Sequence, residues 1–276
     1  MDVASYDLLK LDVSEDGRCV FLSFEHGKAN EVGTAVLAEL ERLVHDLAED
    51  PEVVCLVTTS RRVSRRGTPI FVAGADVSER GGWTDDQVKA HVRWQSGVLR
   101  SLRESPVFHV VVVGGVALGW GTEYLLTADF RIATPKARFG LPETGLGILP
   151  GAGGSSELWT EIGVAQTLRL GMTGEQIDAD EAAAMGLVQE VVPDLETGLA
   201  RARSLAERVK TRSPTAIAAF KRAVLSCTGA PGPVRGDLEM AAYERCVDSG
   251  EAAIGREHFN GIRAGERPPW GPKRGG

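Results

Sequence analysis

The sequence predicts a layered α/β fold that gives way to a helical C-terminal region. Three observations predict it. Short apolar runs, VVCLVT at 53–58 and VVVV at 110–113, have the length and β-branched composition of buried strands. Between them lie stretches with apolar residues at helical spacing, such as 32–47 with Val36, Leu37, Leu40, Leu43, Val44 and Leu47. The last strand-like run closes at Pro193, and helical patterns fill the rest. The expected division is a mixed core over 1–193 and a helical part over 194–276.

In order, 8–13 and 19–24 read as a hairpin around Ser14-Glu15-Asp16-Gly17. The loop His26 to Asn30 precedes the helix 32–47, which Asp50-Pro51 ends. After the strand 53–58, a basic loop at 60–69 carries Arg61, Arg62, Arg65 and Arg66. A solvated charge run is the first reading of that loop, and a phosphate contact the second. The small-residue turn FVAGADV follows at 71–77. An amphipathic helix spans 85–103, with Val88, Val92, Gln95, Val98, Leu99 and Leu102 on one face. Pro106 introduces the strand holding His109, read as a buried strand residue. Beyond 130–133, another strand, helices are expected at 155–162, 165–170 and 180–185, then a short strand at 187–192. Further helices are expected at 195–210, 214–225, 234–247 and 251–262.

Composition narrows the functions. The 276 residues are 43% hydrophobic and 25% charged, as in ordinary globular proteins, and the net charge is −7. That balance speaks against a general nucleic-acid binder. Four scattered cysteines give neither metal-ligand spacing nor a disulfide framework. The polar start has no signal-peptide layout and no long apolar span follows, so no membrane role and a cytoplasmic setting are expected. No P-loop or nicotinamide fingerprint is present, and no metal or separate cofactor is expected.

Chemistry concentrates between Val110 and Gly154. The apolar strand breaks at Gly114 and Gly115, and a glycine-spaced turn (Gly115, Gly119, Gly121) leads into a helix near Trp120 with Glu123 in its first turn. A second loop carries Glu143, ahead of Gly151, Gly153 and Gly154. Glycine turns at helix starts expose backbone N–H groups to anionic ligands. Carboxylates on such loops are candidates for proton transfer.

Four segments, FVAGADV (71–77), GVALGWGTEYLLTAD (115–129), RFGLPETGLGILPGAGG (138–154) and LRLGMTGEQIDADEAAAMGLVQEVVP (168–193), resemble the enoyl-CoA hydratase/isomerase (crotonase) superfamily over about residues 5–270. The resemblance implies a crotonase-like ββα spiral with a helical C-terminal region that trimerises, as homotrimer or homohexamer. It implies an acyl-CoA substrate, with coenzyme A entering only as part of the thioester. The N–H groups of Ala75 and Trp120 are then the oxyanion donors. Most relatives carry glycine at the second of these, so Trp120 is a departure that bears on acyl size. Glu123 and Glu143 fall where hydratases of the family carry catalytic glutamates, Glu143 to protonate Cα and Glu123 to hold water. Lys28, Ala29, Ala73, Gly74, Asp76, Val77, Gly119 and Phe259 fall at substrate or CoA positions. The expected activity is hydration of a 2-enoyl-CoA, a lyase reaction, in fatty-acid or more specialised metabolism. Isomerisation, decarboxylation or thioester hydrolysis through the same enolate is the alternative, and a catalytically weak acyl-CoA-binding subunit is a third.

Overall fold

The computed structural model describes residues 3–273. The chain opens with the antiparallel hairpin β1 (Leu9–Val13) and β2 (Cys19–Phe24), with Leu11 opposite Leu22. Helix α1 (Thr34–Glu49) follows and buries the apolar stripe from Val36 to Leu47. Three turns of chain then share one plan: a strand in a large sheet, a strand in a small sheet, and a helix. The first comprises β3 (Cys55–Thr59), β4 (Ile70–Val72) and α2 (Asp85–Glu104). The second comprises β5 (Phe108–Val113), β6 (Val116–Leu118) and α3 (Trp120–Leu125). The third comprises β7 (Phe130–Ala133), β8 (Arg138–Gly140) and α4 (Leu158–Thr173). Next come β9 (Gln176–Asp178), α5 (Ala179–Ala184) and β10 (Glu190–Val191).

The large sheet has the order β1-β2-β3-β5-β7-β10 and the small one β4-β6-β8-β9. Beyond the first hairpin the large sheet is parallel, as is the small one up to its antiparallel β8–β9 edge. This is the ββα spiral that the sequence segments imply.

The sequence explains the layering. Every residue of β3 is buried, as a strand covered on both faces requires. One face of the large sheet meets α6 (Leu195–Lys210), whose Leu199, Ala202 and Ala206 close over Cys55, Val110, Val112 and Ile132. The other face joins a larger core that includes the stripe of α1 and Val98, Leu99 and Leu102 of α2. Successive turns nest closely at Gly115, where a Cβ would stand 2.2 Å from the carbonyl carbon and oxygen of Pro69. Only glycine permits that approach.

Several elements differ from expectation. The glycine turn at 114–121 contains β6, and the loop before Glu143 contains β8; β4 and β9 also went unread. Each of these four has three residues, too few to show an alternating pattern. The helices expected at 155–162 and 165–170 form α4, interrupted at Gly163, where φ is 77°. The strand expected at 187–192 shortens to β10. After α7 (Pro214–Cys227) and α8 (Gly232–Asp248), the helix expected over 251–262 divides at His258 into α9 (Glu251–Glu257) and α10 (Phe259–Arg263).

Several polar groups inside the core are paired. His109 meets the Thr58 hydroxyl through Nε2 at 2.8 Å and the Thr127 carbonyl through Nδ1 at 3.2 Å. The Thr58 hydroxyl also reaches the Tyr124 hydroxyl at 3.0 Å. Burial, aided by the charge of Lys221, pushes the His109 pKa down to about 3, so the ring is neutral. Lys221 of α7 donates to the Asp129 carboxylate at 2.9 Å, and the His109 backbone N–H donates to the same oxygen at 2.8 Å.

Candidate active site

The three parallel strands of the small sheet each end on a piece of the site. Ala75 lies three residues past β4, Trp120 two past β6, and Glu143 three past β8. Ligand groups gather at the carboxyl ends of parallel strands in many α/β folds, because the connecting loops cluster there.

The geometry at Ala75 follows from one bridge. Val32 donates to the Gly74 carbonyl at 3.0 Å and accepts from the Asp76 N–H at 3.0 Å. In an extended chain the N–H between those two groups faces the opposite side. The Ala75 N–H accordingly has no acceptor among the described residues. Trp120 is the first residue of α3, where helical N–H groups lack an internal partner, and its N–H is likewise unbonded among the described residues.

Glu123 is 3% exposed, on α3. Its Oε1 accepts the N–H of Ala152 at 2.7 Å and that of Gly154 at 2.9 Å. The second glycine cluster therefore cradles this carboxylate. Burial raises the Glu123 pKa to about 7, with a further push from the charge of Glu143; the two N–H bonds oppose the rise. Glu143 sits in a 3-10 turn, Pro142–Leu146, and burial raises its pKa too. Its Oε2 is buried without a protein partner. Its Oε1 lies against Gly119, whose φ of 53° and backbone closeness leave no room for a side chain.

These groups meet in one chamber of about 200 Å³. Of the residues expected from sequence, Ala73, Gly74, Ala75, Val77, Gly119, Trp120, Glu123 and Glu143 line it. The other four stand outside the lining. Ala29 supports it from behind, its carbonyl accepting the Ala73 N–H at 3.1 Å. The Lys28 carbonyl accepts from Arg62 Nε at 3.4 Å. The Asp76 side chain caps the turn Val77–Arg80. Phe259 is 58% exposed, on α10. The sequence reading missed Arg80, which had no local signal, and the wall formed by Leu146, Ile148 and Leu149. It placed Gln95 on the core face of α2; a glutamine among apolar residues was the available signal. Glu123 also borders a second cavity of about 490 Å³, behind the first, lined partly by Arg100, Arg103 and Glu157.

A buried acid of pKa near neutrality, a second buried carboxyl and two unbonded amides form a set suited to moving protons beside a developing oxyanion. Comparison with known proteins gives the family. The pattern of the enoyl-CoA hydratase/isomerase family matches residues 21–263. The chain is 33% identical over 221 residues to the short-chain-enoyl-CoA hydratase of Clostridium acetobutylicum, covering 79% of this chain and 82% of that one. An enoyl-CoA hydratase structure from Bacillus anthracis superposes with a TM-score of 0.86 at 30% identity, covering 96% of this chain and 99% of the other. DspI from Pseudomonas aeruginosa superposes with a TM-score of 0.85 at 27% identity, covering 98% and 100%. The fold and site define an enzyme of the crotonase superfamily. The chain belongs to the enoyl-CoA hydratase/isomerase family.

Proposed function

We propose that the protein is a lyase that adds water reversibly across the 2,3 double bond of a short-chain 2-enoyl-CoA. The single observation that carries this is the convergence of Glu123, Glu143 and the amide-bearing residues Ala75 and Trp120 on one chamber. The thioester oxygen accepts the two amides. Negative charge builds on it as the β-carbon is attacked, and fixed donors lower that barrier. Glu123, with Oε1 fixed by Ala152 and Gly154, uses Oε2 to hold the attacking water and take a proton from it as its oxygen bonds the β-carbon. Glu143 delivers a proton to the α-carbon. Burial raises its pKa, which favours the protonated form. In the dehydration direction the same groups exchange roles.

A chamber of about 200 Å³ favours a short acyl group. We further propose a homotrimer or homohexamer. Exposed apolar side chains on α4 (Trp159, Leu168, Met172) and on α7 and α8 (Phe220, Met240, Tyr243) support association. The cysteines are all free thiols, which suits the reducing cytoplasm, where we place the enzyme. Light scattering gives the assembly mass, which should be a multiple of three protomers.

The activity test follows loss of conjugated-thioester absorbance with a panel of short 2-enoyl-CoAs. Turnover with gain of one water in product mass, and a loss of about 10²–10⁴-fold in Glu123→Gln and Glu143→Gln, is the expected result. Products of unchanged mass, or free CoA, would instead assign isomerisation or hydrolysis.

A further inference from the structure

The lining of the chamber contains more hydrogen-bonding capacity than hydration of a plain hydrocarbon chain uses. Arg80 Nε, Gln95 Nε2 and Trp120 Nε1 are each buried without a protein acceptor, and all three residues line the chamber. Two of the side chains are almost wholly enclosed, with Gln95 4% and Trp120 2% exposed. Unmade hydrogen bonds of this kind are costly and uncommon inside proteins. Here all three belong to residues that line one chamber.

Their arrangement is held in place. Arg80 Nη2 donates to Gln95 Oε1 at 3.3 Å. Because arginine is a donor only, this bond fixes the amide oxygen toward Arg80 and leaves the amide NH2 free. Arg80 ends the 3-10 turn that follows Ala75, while Gln95 lies on α2. The pair thus ties the oxyanion loop to the helix above it. Trp120 stacks obliquely on Tyr124, with ring centroids 5.5 Å apart, which fixes the indole.

We propose that Arg80, Gln95 and Trp120 form a specificity wall for an acyl-CoA whose acyl chain carries a second oxygen acceptor, a carboxylate or a neutral carbonyl. The inference rests on the acyl-CoA reading of the chamber and adds the chemistry of the chain within it. An apolar acyl group would leave all three donors unmade in a desolvated site. An oxygen acceptor satisfies them. The two glutamates raise the cost of a further negative charge, whereas the Arg80 cation offsets it, so the two acceptor types must be separated by measurement.

The test uses five-carbon saturated thioesters that cannot be hydrated: pentanoyl-CoA, 4-oxopentanoyl-CoA and glutaryl-CoA. Calorimetry on the full chain reads binding, and circular dichroism of each variant reports its folded state. The expected result is tighter binding of at least one oxygenated thioester than of pentanoyl-CoA, by about 10- to 100-fold. Trp120→Phe, Gln95→Leu and Arg80→Met should each narrow that ratio severalfold or more. If glutaryl-CoA leads, the wall reads a carboxylate; if 4-oxopentanoyl-CoA leads, it reads a carbonyl. Equal or weaker binding of both oxygenated thioesters overturns the proposal, as does a ratio that none of the three variants alters. Hydration of plain enoyl-CoAs without this preference would leave the hydratase assignment standing and remove the wall. The preference without any hydration would do the reverse.

Discussion

Glu143 Oε1 lies so close to the backbone of Gly119 that a Cβ on residue 119 would stand 2.6 Å from it. The Glu143 carboxyl and the turn that precedes Trp120 therefore share one space. Gly119→Ala must displace Glu143 and also hold φ at 53° with a side chain. We expect kcat to fall at least 100-fold, with a stability loss of about 1–3 kcal/mol from the backbone strain alone. Enoyl-CoA turnover beside thermal melting checks both; unchanged kcat would show that the carboxyl does not need this seat.

Glu123 makes stability depend on pH in a defined direction. Its pKa rises from an ordinary 4.5 to about 7 on folding, chiefly by burial. Between those values the folded chain holds the proton more tightly than the unfolded chain. Stability attributable to this group is therefore greatest below pH 4.5 and declines as pH rises through 7. The full penalty is about 3 kcal/mol. Glu123→Gln removes it. The variant should melt about 5–10 °C above the parent at pH 8, with the gap closing toward pH 5. A gap that widens toward acid would reverse the sign and refute the assignment.

Lys221 and Asp129 join α7 to the start of β7. Among the described residues, Lys221→Met would leave the half-buried Asp129 carboxylate with only the His109 N–H. The expected cost is about 1–3 kcal/mol in urea unfolding. Lys221→Met/Asp129→Asn together should recover much of it, since no charge then stays unpaired.

Thr58 holds two buried partners at once, His109 and Tyr124. Thr58→Val keeps the volume and abandons both. We expect a loss of about 2–3 kcal/mol. Tyr124→Phe, which removes a partner instead of orphaning two, should cost less.

Gly115 is one of the tightest points between consecutive turns of the spiral. Gly115→Ala should fail to give folded protein, or should lower the unfolding midpoint sharply, because its neighbour is the rigid backbone of Pro69 rather than a mobile side chain. Circular dichroism of the purified variant decides this.

Much of this architecture was legible in the residues, for identifiable reasons. β5 announces itself through four consecutive valines, and α1 through a stripe of six apolar positions. Strands of three residues leave no periodic trace, so the small sheet on which the site depends was invisible. Its pairing is decided by neighbours distant in the chain, as Ile70 with Val116 and Val116 with Arg138 show. Glu123 and Glu143 were found through resemblance and glycine context together. The gathering of Arg80, Gln95 and Trp120 could not be read, because it depends on how α2 settles over the turn at 77–80. The division at His258 was masked by a helical apolar pattern that continues across it.

Three neighbouring strands each deliver one working group a few residues beyond their ends, and such neighbours run about 4.8 Å apart. The sheet is thus a ruler. The span from the Ala75 amide to the Glu143 carboxyl is graduated in strand widths. Retuning that span means unzipping a pair of strands. Altering what the substrate carries at its far end needs only a change of side chain.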